Sequence, residues 1–149
     1  LGDINDKTAI ERIYMWKSGL RMIRDHPLFG LGPDSIKPAY PRYADPRALK
    51  KESGHLHNNF IHIGAERGLP ALAAWIWIWA AYFVATVRRL GPAREGASET
   101  RIRIVGSLAA ISGFLFAGLF EYNFGDSEVV MLAYFIMALP FVGEEKGSA

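Results

Sequence analysis

Residues 69–87 read LPALAAWIWIWAAYFVATV, nineteen positions without a charge, and how this stretch is read decides the fold. A bilayer core of about 30 Å calls for about 20 apolar residues of helix. Leu69, Leu72, Ile76, Ile78, Phe83, Val84 and Val87 each favour insertion by roughly 0.3–0.6 kcal/mol, a few kcal/mol together, with no charge opposing them. Working outward, residues 104–120 and 129–143 add 17 and 15 more uncharged positions. Three such runs, buried as core helices of a soluble domain, would need a larger polar shell than 149 residues supply. The mean hydropathy of +0.09 hides this asymmetry. Residues 1–67 hold 11 of the 17 Lys and Arg, 8 of the 15 Asp and Glu, and all four His. The expected fold is therefore all-α and membrane-integral. A polar segment 1–67 with two helices and a long loop precedes a segment 68–149 with about three transmembrane helices, at about 69–87, 104–120 and 128–143.

The loop 88–103 carries five Arg (88, 89, 94, 101 and 103) against Glu95 and Glu99, whereas 121–128, EYNFGDSE, carries three acids and no base. The positive-inside bias places the first loop in the cytoplasm and the second outside, and alternation puts residues 1–67 outside as well. The chain starts at Leu1 with neither Met nor a signal sequence, so further spans are expected upstream. The absence of Cys excludes a disulfide framework and thiolate metal sites. Despite a pI near 9, the basic residues are interspersed with acids, and no stripe suited to nucleic acid is present.

Within the polar segment, residues 8–25 read as a helix. Thr8 followed by Glu11 predicts a capping box, and Ile10, Ile13, Trp16, Leu20 and Ile23 share one broad face. Lys17, Arg21 and Arg24 edge that face on one flank and Arg12 on the other, a pattern that suits a helix on a membrane surface and equally a packed helix with snorkelling cations. The helix is expected to end at Asp25-His26-Pro27. Gly30, Gly32 and Pro33 then mark a tight turn, and residues 37–54, with three Pro, read as an irregular exposed loop.

Chemistry is expected at the join between the polar segment and the first span. His55-Leu56-His57-Asn58-Asn59 precedes a short helix, on which His55, Asn58, His62 and Glu66 would form one polar stripe, with His57 roughly opposite. His-x-His can hold zinc, but no third ligand stands out among Glu52, His62 and Glu66. An imidazole at the water–membrane boundary can accept a proton at neutral pH. Glu121, Asn123 and Asp126 return on the same side and read as a solvated turn.

The stretches ERIYMWKSGLRMIRDHPLFGLGPDSI, HLHNNFIHIGAERGLPALAAW and FEYNFGDSEV, in this order and beside a span, resemble the C-terminal portion of the O-antigen ligase and Wzy-type polymerase family. The family's His-Asn, nine residues, Gly pattern is met by His57, Asn58 and Gly68, and its Arg followed four residues later by an aromatic by Arg12 and Trp16. Ala71 departs from the Gly, Thr or Tyr common at its position. The resemblance implies a bacterial inner-membrane enzyme with residues 1–67 in the periplasm. It also implies metal-independent transfer, without a cofactor, of a glycan from undecaprenyl diphosphate to a hydroxyl of a lipid A core or growing glycan. His57 would take the acceptor proton, Arg12 would meet the diphosphate, and Asn58, Arg21, Arg24, Arg42 and His55 would contact substrate. Without upstream spans to complete the groove for the carrier, these 149 residues are expected to be inactive alone. Two other classes compete: a non-enzymatic transporter or receptor part, which charge-free spans disfavour, and a zinc hydrolase using His55 and His57.

Overall fold

The computed structural model describes residues 2–90 and 98–142, and among these every regular element is helical. Five α-helices follow one another: α1 (Gly2–Asp25), α2 (Ile36–Tyr43), α3 (Asn59–Val87), α4 (Ser98–Ala117) and α5 (Ser127–Ala138). Single 3-10 turns stand before and after α5, at Asn123–Gly125 and Leu139–Phe141.

Because α1 starts at Gly2, Thr8 lies inside it, and the expected capping box does not form. The Glu11 carboxylate instead accepts from the backbone N–H groups of Leu49 (2.9 Å) and Lys50 (3.2 Å), fastening the following connection to α1. The face that packs inside the chain is not that of Ile10, Ile13 and Leu20. Met15, Ser18 and Met22 are buried, while Ile10, Ile13 and Leu20 are 44–56% exposed. Close approach explains this choice: a Cβ on Gly19 would lie 2.3 Å from Ile61 of α3, so this face lets two helices meet where branched side chains would hold them apart. Met15 and Met22 fill the resulting core with Ile36, Tyr40, Leu56 and Ala65.

The loop expected over 37–54 begins with α2. Pro38 falls in its first turn, where the missing N–H had no helical acceptor, and Pro41 forfeits one internal bond. Ile36 and Tyr40, one turn apart, are fully buried against α1 and offset that loss.

Helix α3 is two helices joined at Gly68, whose φ of 84° and ψ of 170° are not helical. Pro70 has no N–H, so the Glu66 carbonyl loses its partner, and the Gly32 N–H takes it (2.9 Å). The Leu69 N–H turns to the Pro27 carbonyl (2.7 Å), which frees the Ala65 carbonyl for the Leu31 N–H (2.9 Å). The turn at 27–32 is thus a backbone clamp on a broken helix. Gly30 and Gly68 permit the contact, since a Cβ on either would lie within 2.5 Å of backbone atoms of the other strand of the clamp.

Beyond the break, α3 and α4 are long and apolar enough to cross a membrane, and only 22% and 17% of their apolar windows are buried. Trp77, Ile102 and Phe116 point outward at 66–70% exposure. Trp75, Trp79, Tyr82, Ile111 and Ala133 pack α3, α4 and α5 together. The third expected span, 128–143, falls short. Its 12 helical residues in α5 rise only about 18 Å before Pro140 and a 3-10 turn, too little for a bilayer core. Helix α4 also starts earlier and ends earlier than 104–120, so Arg101 and Arg103 of the expected loop 88–103 are helical, while Arg94 and Glu95 lie outside the described residues. Arg103 donates to the Val142 carbonyl (3.2 Å) and Arg89 lies over the Phe141 ring, gathering the arginines at the end of the bundle opposite residues 118–124.

Candidate functional site

His57 is not helical. It adopts φ 47°, in the left-handed region, between the fully buried Leu56 and Asn58, the N-cap of α3. A side chain in that region is uncommon and costs free energy that its surroundings must offset. Three contacts do so here. The Leu56 side chain is locked in the core, the Trp16 indole N–H donates to the His57 carbonyl (3.3 Å), and the Asn58 side chain accepts from the Ile61 N–H (3.0 Å). The expected stripe of His55, Asn58, His62 and Glu66 therefore does not form, because only its last two members are on the helix.

The arrangement brings Glu121 to the centre of the site. Its Oε1 accepts from Arg12 Nη2 and its Oε2 lies against His57 Nδ1, both at 2.7 Å. Sixty-four residues separate Glu121 from His57, and two neighbouring asparagines span the gap. Asn58 Nδ2 donates to the Leu119 carbonyl (2.9 Å). The Asn59 N–H donates to the Gly118 carbonyl (2.7 Å), its Nδ2 to Asn123 Oδ1 (2.5 Å), and its Oδ1 accepts from the Phe124 N–H (3.1 Å). The 118–124 connection is thus stitched to the first turn of α3, and Glu121 is carried with it. Burial resists ionisation of Glu121, but the hydrogen bond to His57 and the charges of His57 and Arg12 outweigh it and hold the carboxyl below its usual range. An ionised carboxylate only accepts, so His57 carries its proton on Nδ1 and leaves Nε2 as the basic nitrogen.

His55 stands edge-on to His57, with ring centroids 4.4 Å apart. Burial, then the neighbouring His57, lower its pKa. One ring nitrogen from each histidine and an oxygen of Glu121 lie within 4.8 Å of one another, supplying the third ligand that the sequence did not reveal. Yet tetrahedral zinc sets its donors roughly 3.3 Å apart, and Glu121 Oε2 and His57 Nδ1 are at 2.7 Å, a hydrogen-bond distance.

The other expected substrate contacts lie elsewhere. Arg21 donates to the Tyr43 carbonyl (2.7 Å) and ties α2 to α1. Arg24 is exposed and pairs with Asp25, and Arg42 is exposed in the last turn of α2. Arg21 and Arg24 are nine and twelve residues beyond Arg12, about 14 and 18 Å along the helix. Two cavities flank the His57–Glu121 pair. One, of about 310 Å³, is lined by Lys7, Glu11, Arg12, Lys50 and His57 among others. The second, of about 840 Å³, lies on the side of His55 and Glu121 and has the buried pair His62 and Glu66 in its wall.

The sequence gives Asn59 no role and reads Glu121 as part of a solvated turn rather than as a partner of His57. The available signal was alternation, which returns residues 121–128 to the side of His57.

Residues 3–76 match the model of a family described as O-antigen ligase. No curated protein and no solved structure matches the chain. The matched stretch takes in α1, Arg12, His57, Asn58 and the break at Gly68, and it stops short of Glu121.

Proposed function

Since residues 3–76 place this chain in the O-antigen ligase family, we propose that it is the part of a membrane glycosyltransferase that carries the catalytic base. In this reading the enzyme moves a glycan from undecaprenyl diphosphate to a hydroxyl of a lipid A core or of a growing glycan. The observation that carries it is the Arg12–Glu121–His57 relay, with 2.7 Å at each link.

In the transfer, the acceptor O–H gives its proton to His57 Nε2 as its oxygen attacks C1 of the donor sugar. The C1–O bond to the diphosphate breaks, and its electron pair leaves on the diphosphate oxygen. Glu121 accepts from Nδ1 and favours the imidazolium that forms. Arg12 has five donors and lends one to Glu121, so the rest of its fork can meet the departing phosphate charge from the smaller cavity. The polar segment lies on the periplasmic side of the inner membrane, with α3 and α4 crossing it. The apolar outward faces of those helices support the crossing. Asn58 serves as a cap and stitch, and its role in substrate binding is indirect. A metal-dependent hydrolysis at His55, His57 and Glu121 is the second reading that the cluster favours.

In the intact protein in its native membrane, His57→Ala should lower glycan transfer by about 10²–10⁴-fold, and Arg12→Ala should do so comparably, with expression and insertion unchanged. Near-normal transfer in either variant removes that residue from the chemistry. Stoichiometric zinc in purified protein, lost on His55→Ala, would replace this reading with the second.

A further inference from the structure

The clamp that holds the break in α3 also fixes how far along that helix the 27–32 turn stands. Gly32 and Leu31 donate to the Glu66 and Ala65 carbonyls, and Pro27 accepts from the Leu69 N–H. Between them, Gly30 lies against the Glu66–Arg67 backbone, and a Cβ on Gly68 would meet the Leu28 carbonyl oxygen at 2.3 Å and the Phe29 nitrogen at 2.8 Å. The later residues of the turn therefore stand at 65–66, and its tip, Leu28 and Phe29, stands at 68–69. The uncharged run of α3 begins at Leu69. At that level Phe29 is 84% and Leu28 63% exposed.

Their exposure does not come from a loose backbone. The tip is pinned by the clamp on one side and by the Gly30 N–H, which donates to the His26 carbonyl (3.0 Å), on the other. Two long cations accompany it. Arg67, next to Gly68, pairs with Glu66 (3.3 Å), and Arg24, four residues before Leu28, pairs with Asp25 (3.1 Å); both leave most of the side chain exposed. Apolar and aromatic side chains beside arginines, at the end of an uncharged run, suit the boundary between membrane and water. A turn of irregular backbone does not enter hydrocarbon, but the headgroup region supplies water to its backbone groups.

We propose that the Leu28–Phe29 tip is a membrane seat: its two side chains enter the headgroup boundary of the leaflet where α3 begins to cross, and the clamp ties the polar segment to that surface. The inference rests on the reading of α3 as a crossing helix. Lipid is the occupant because the tip is continuous with the start of the span. Leu69 is the first residue of the run that enters the bilayer in that reading, it is itself 45% exposed, and a backbone hydrogen bond of 2.7 Å holds Pro27 to it. The depth of the span thus sets the depth of the tip. Leu28 and Phe29 stay in water only if the first residues of the span stay there too.

The test places a nitroxide label on Phe29→Cys in the intact protein, in nanodiscs of phosphatidylethanolamine and phosphatidylglycerol. It reads collisions of the label with oxygen, which concentrates in lipid, and with an uncharged, water-soluble nickel chelate. The 149 residues hold no Cys, so only cysteines elsewhere in the intact protein need replacing. Glu52→Cys, exposed on the connection after α2, is the reference for water. The oxygen-to-nickel collision ratio at 29 should be severalfold that at 52, and Leu28→Cys serves in its place where Phe29→Cys is not recovered. A ratio equal to that at 52 leaves the tip in water and overturns the proposal. Few collisions with either reagent put the tip under protein, such as an upstream segment of the intact chain, and overturn it as well. The crossing itself is scored by labels at Ile76, Trp77 and Ile78, which face successive sides of α3. If all three are shielded from nickel while position 29 is not, α3 crosses and only the seat fails. If they meet nickel as position 52 does, the crossing fails and the seat falls with it.

Discussion

Replacing Glu121 by Gln keeps its shape and its acceptor oxygen but removes the charge that faces His57. The hydrogen bond to Nδ1 at 2.7 Å can still form, so the ring keeps its orientation. What is lost is the difference between a charge-assisted and a neutral hydrogen bond as the imidazolium develops. Charged hydrogen bonds contribute about 1.5–3 kcal/mol and neutral ones about 0.5–1.5 kcal/mol. The Glu121 side chain is 49% exposed, so solvent screening selects the lower end of that difference, about 1 kcal/mol. At about 1.4 kcal/mol per tenfold, Glu121→Gln should slow transfer roughly fivefold. The loss should fall on kcat, because the charge matters after the proton has moved. Glu121→Ala also releases the ring and Arg12, and should cost more than Glu121→Gln. The assay is glycan transfer by membranes holding the intact protein, with donor and acceptor saturating. Coupling to the base is read from the double variant: in a His57→Ala background, Glu121→Gln should have almost no further effect. A full-strength Glu121→Gln enzyme, or an undiminished further loss in the double variant, would refute the relay.

Three further outcomes are expected. Gly68→Ala places a methyl group 2.3 Å from the Leu28 carbonyl oxygen at φ 84°. It should destabilise by at least about 2 kcal/mol, read as a fall in thermal midpoint, while Gly113→Ala, with nothing within 4 Å, should not; equal midpoints would remove the clamp. Asn59→Ala, at a fully buried position, leaves the Asn123 side-chain Oδ1 and the Phe124 N–H without this partner, at about 1–3 kcal/mol for each group. Transfer should fall with it as Glu121 loses its mooring, and normal transfer would show that the stitch is dispensable. Finally, the Glu121 pKa is held below its ordinary value, so its ion pair stabilises above the unfolded-state pKa and is lost as pH falls through the folded one. The stability difference between wild type and Glu121→Gln should therefore shrink on acidification below about pH 4, and a constant difference across that range would count against the pair.

The sequence alone determined the helical class and the two long apolar helices, because hydropathy and helix length are local sums. Nineteen uncharged residues at 69–87 make a helix long and apolar enough to cross a membrane wherever they are placed. The resemblance to the family singled out Arg12 and His57, and the structure brings both to one carboxylate, Glu121. The sequence left open whether the apolar face of Ile10, Ile13 and Leu20 packs inside the chain. In the structure Gly19 lets α1 come closer to α3 on another side, and packing followed the closer approach. Residues 128–143 were already short for a span by sequence, and in the structure α5 has 12 residues before Pro140 and a 3-10 turn.

Only the tertiary structure decided the partners of the site. Glu121 reaches His57 across 64 residues because Asn58 and Asn59 bind the 118–124 connection at its backbone, and such contacts leave no periodicity to read. The same holds for Gly68. The sequence shows a glycine two residues before a proline, and only the fold shows that the carbonyls released by the break are taken by Leu31 and Gly32. A backbone group freed in one element can be satisfied by any segment that folding brings near. Which segment that is depends on the packing of the whole chain.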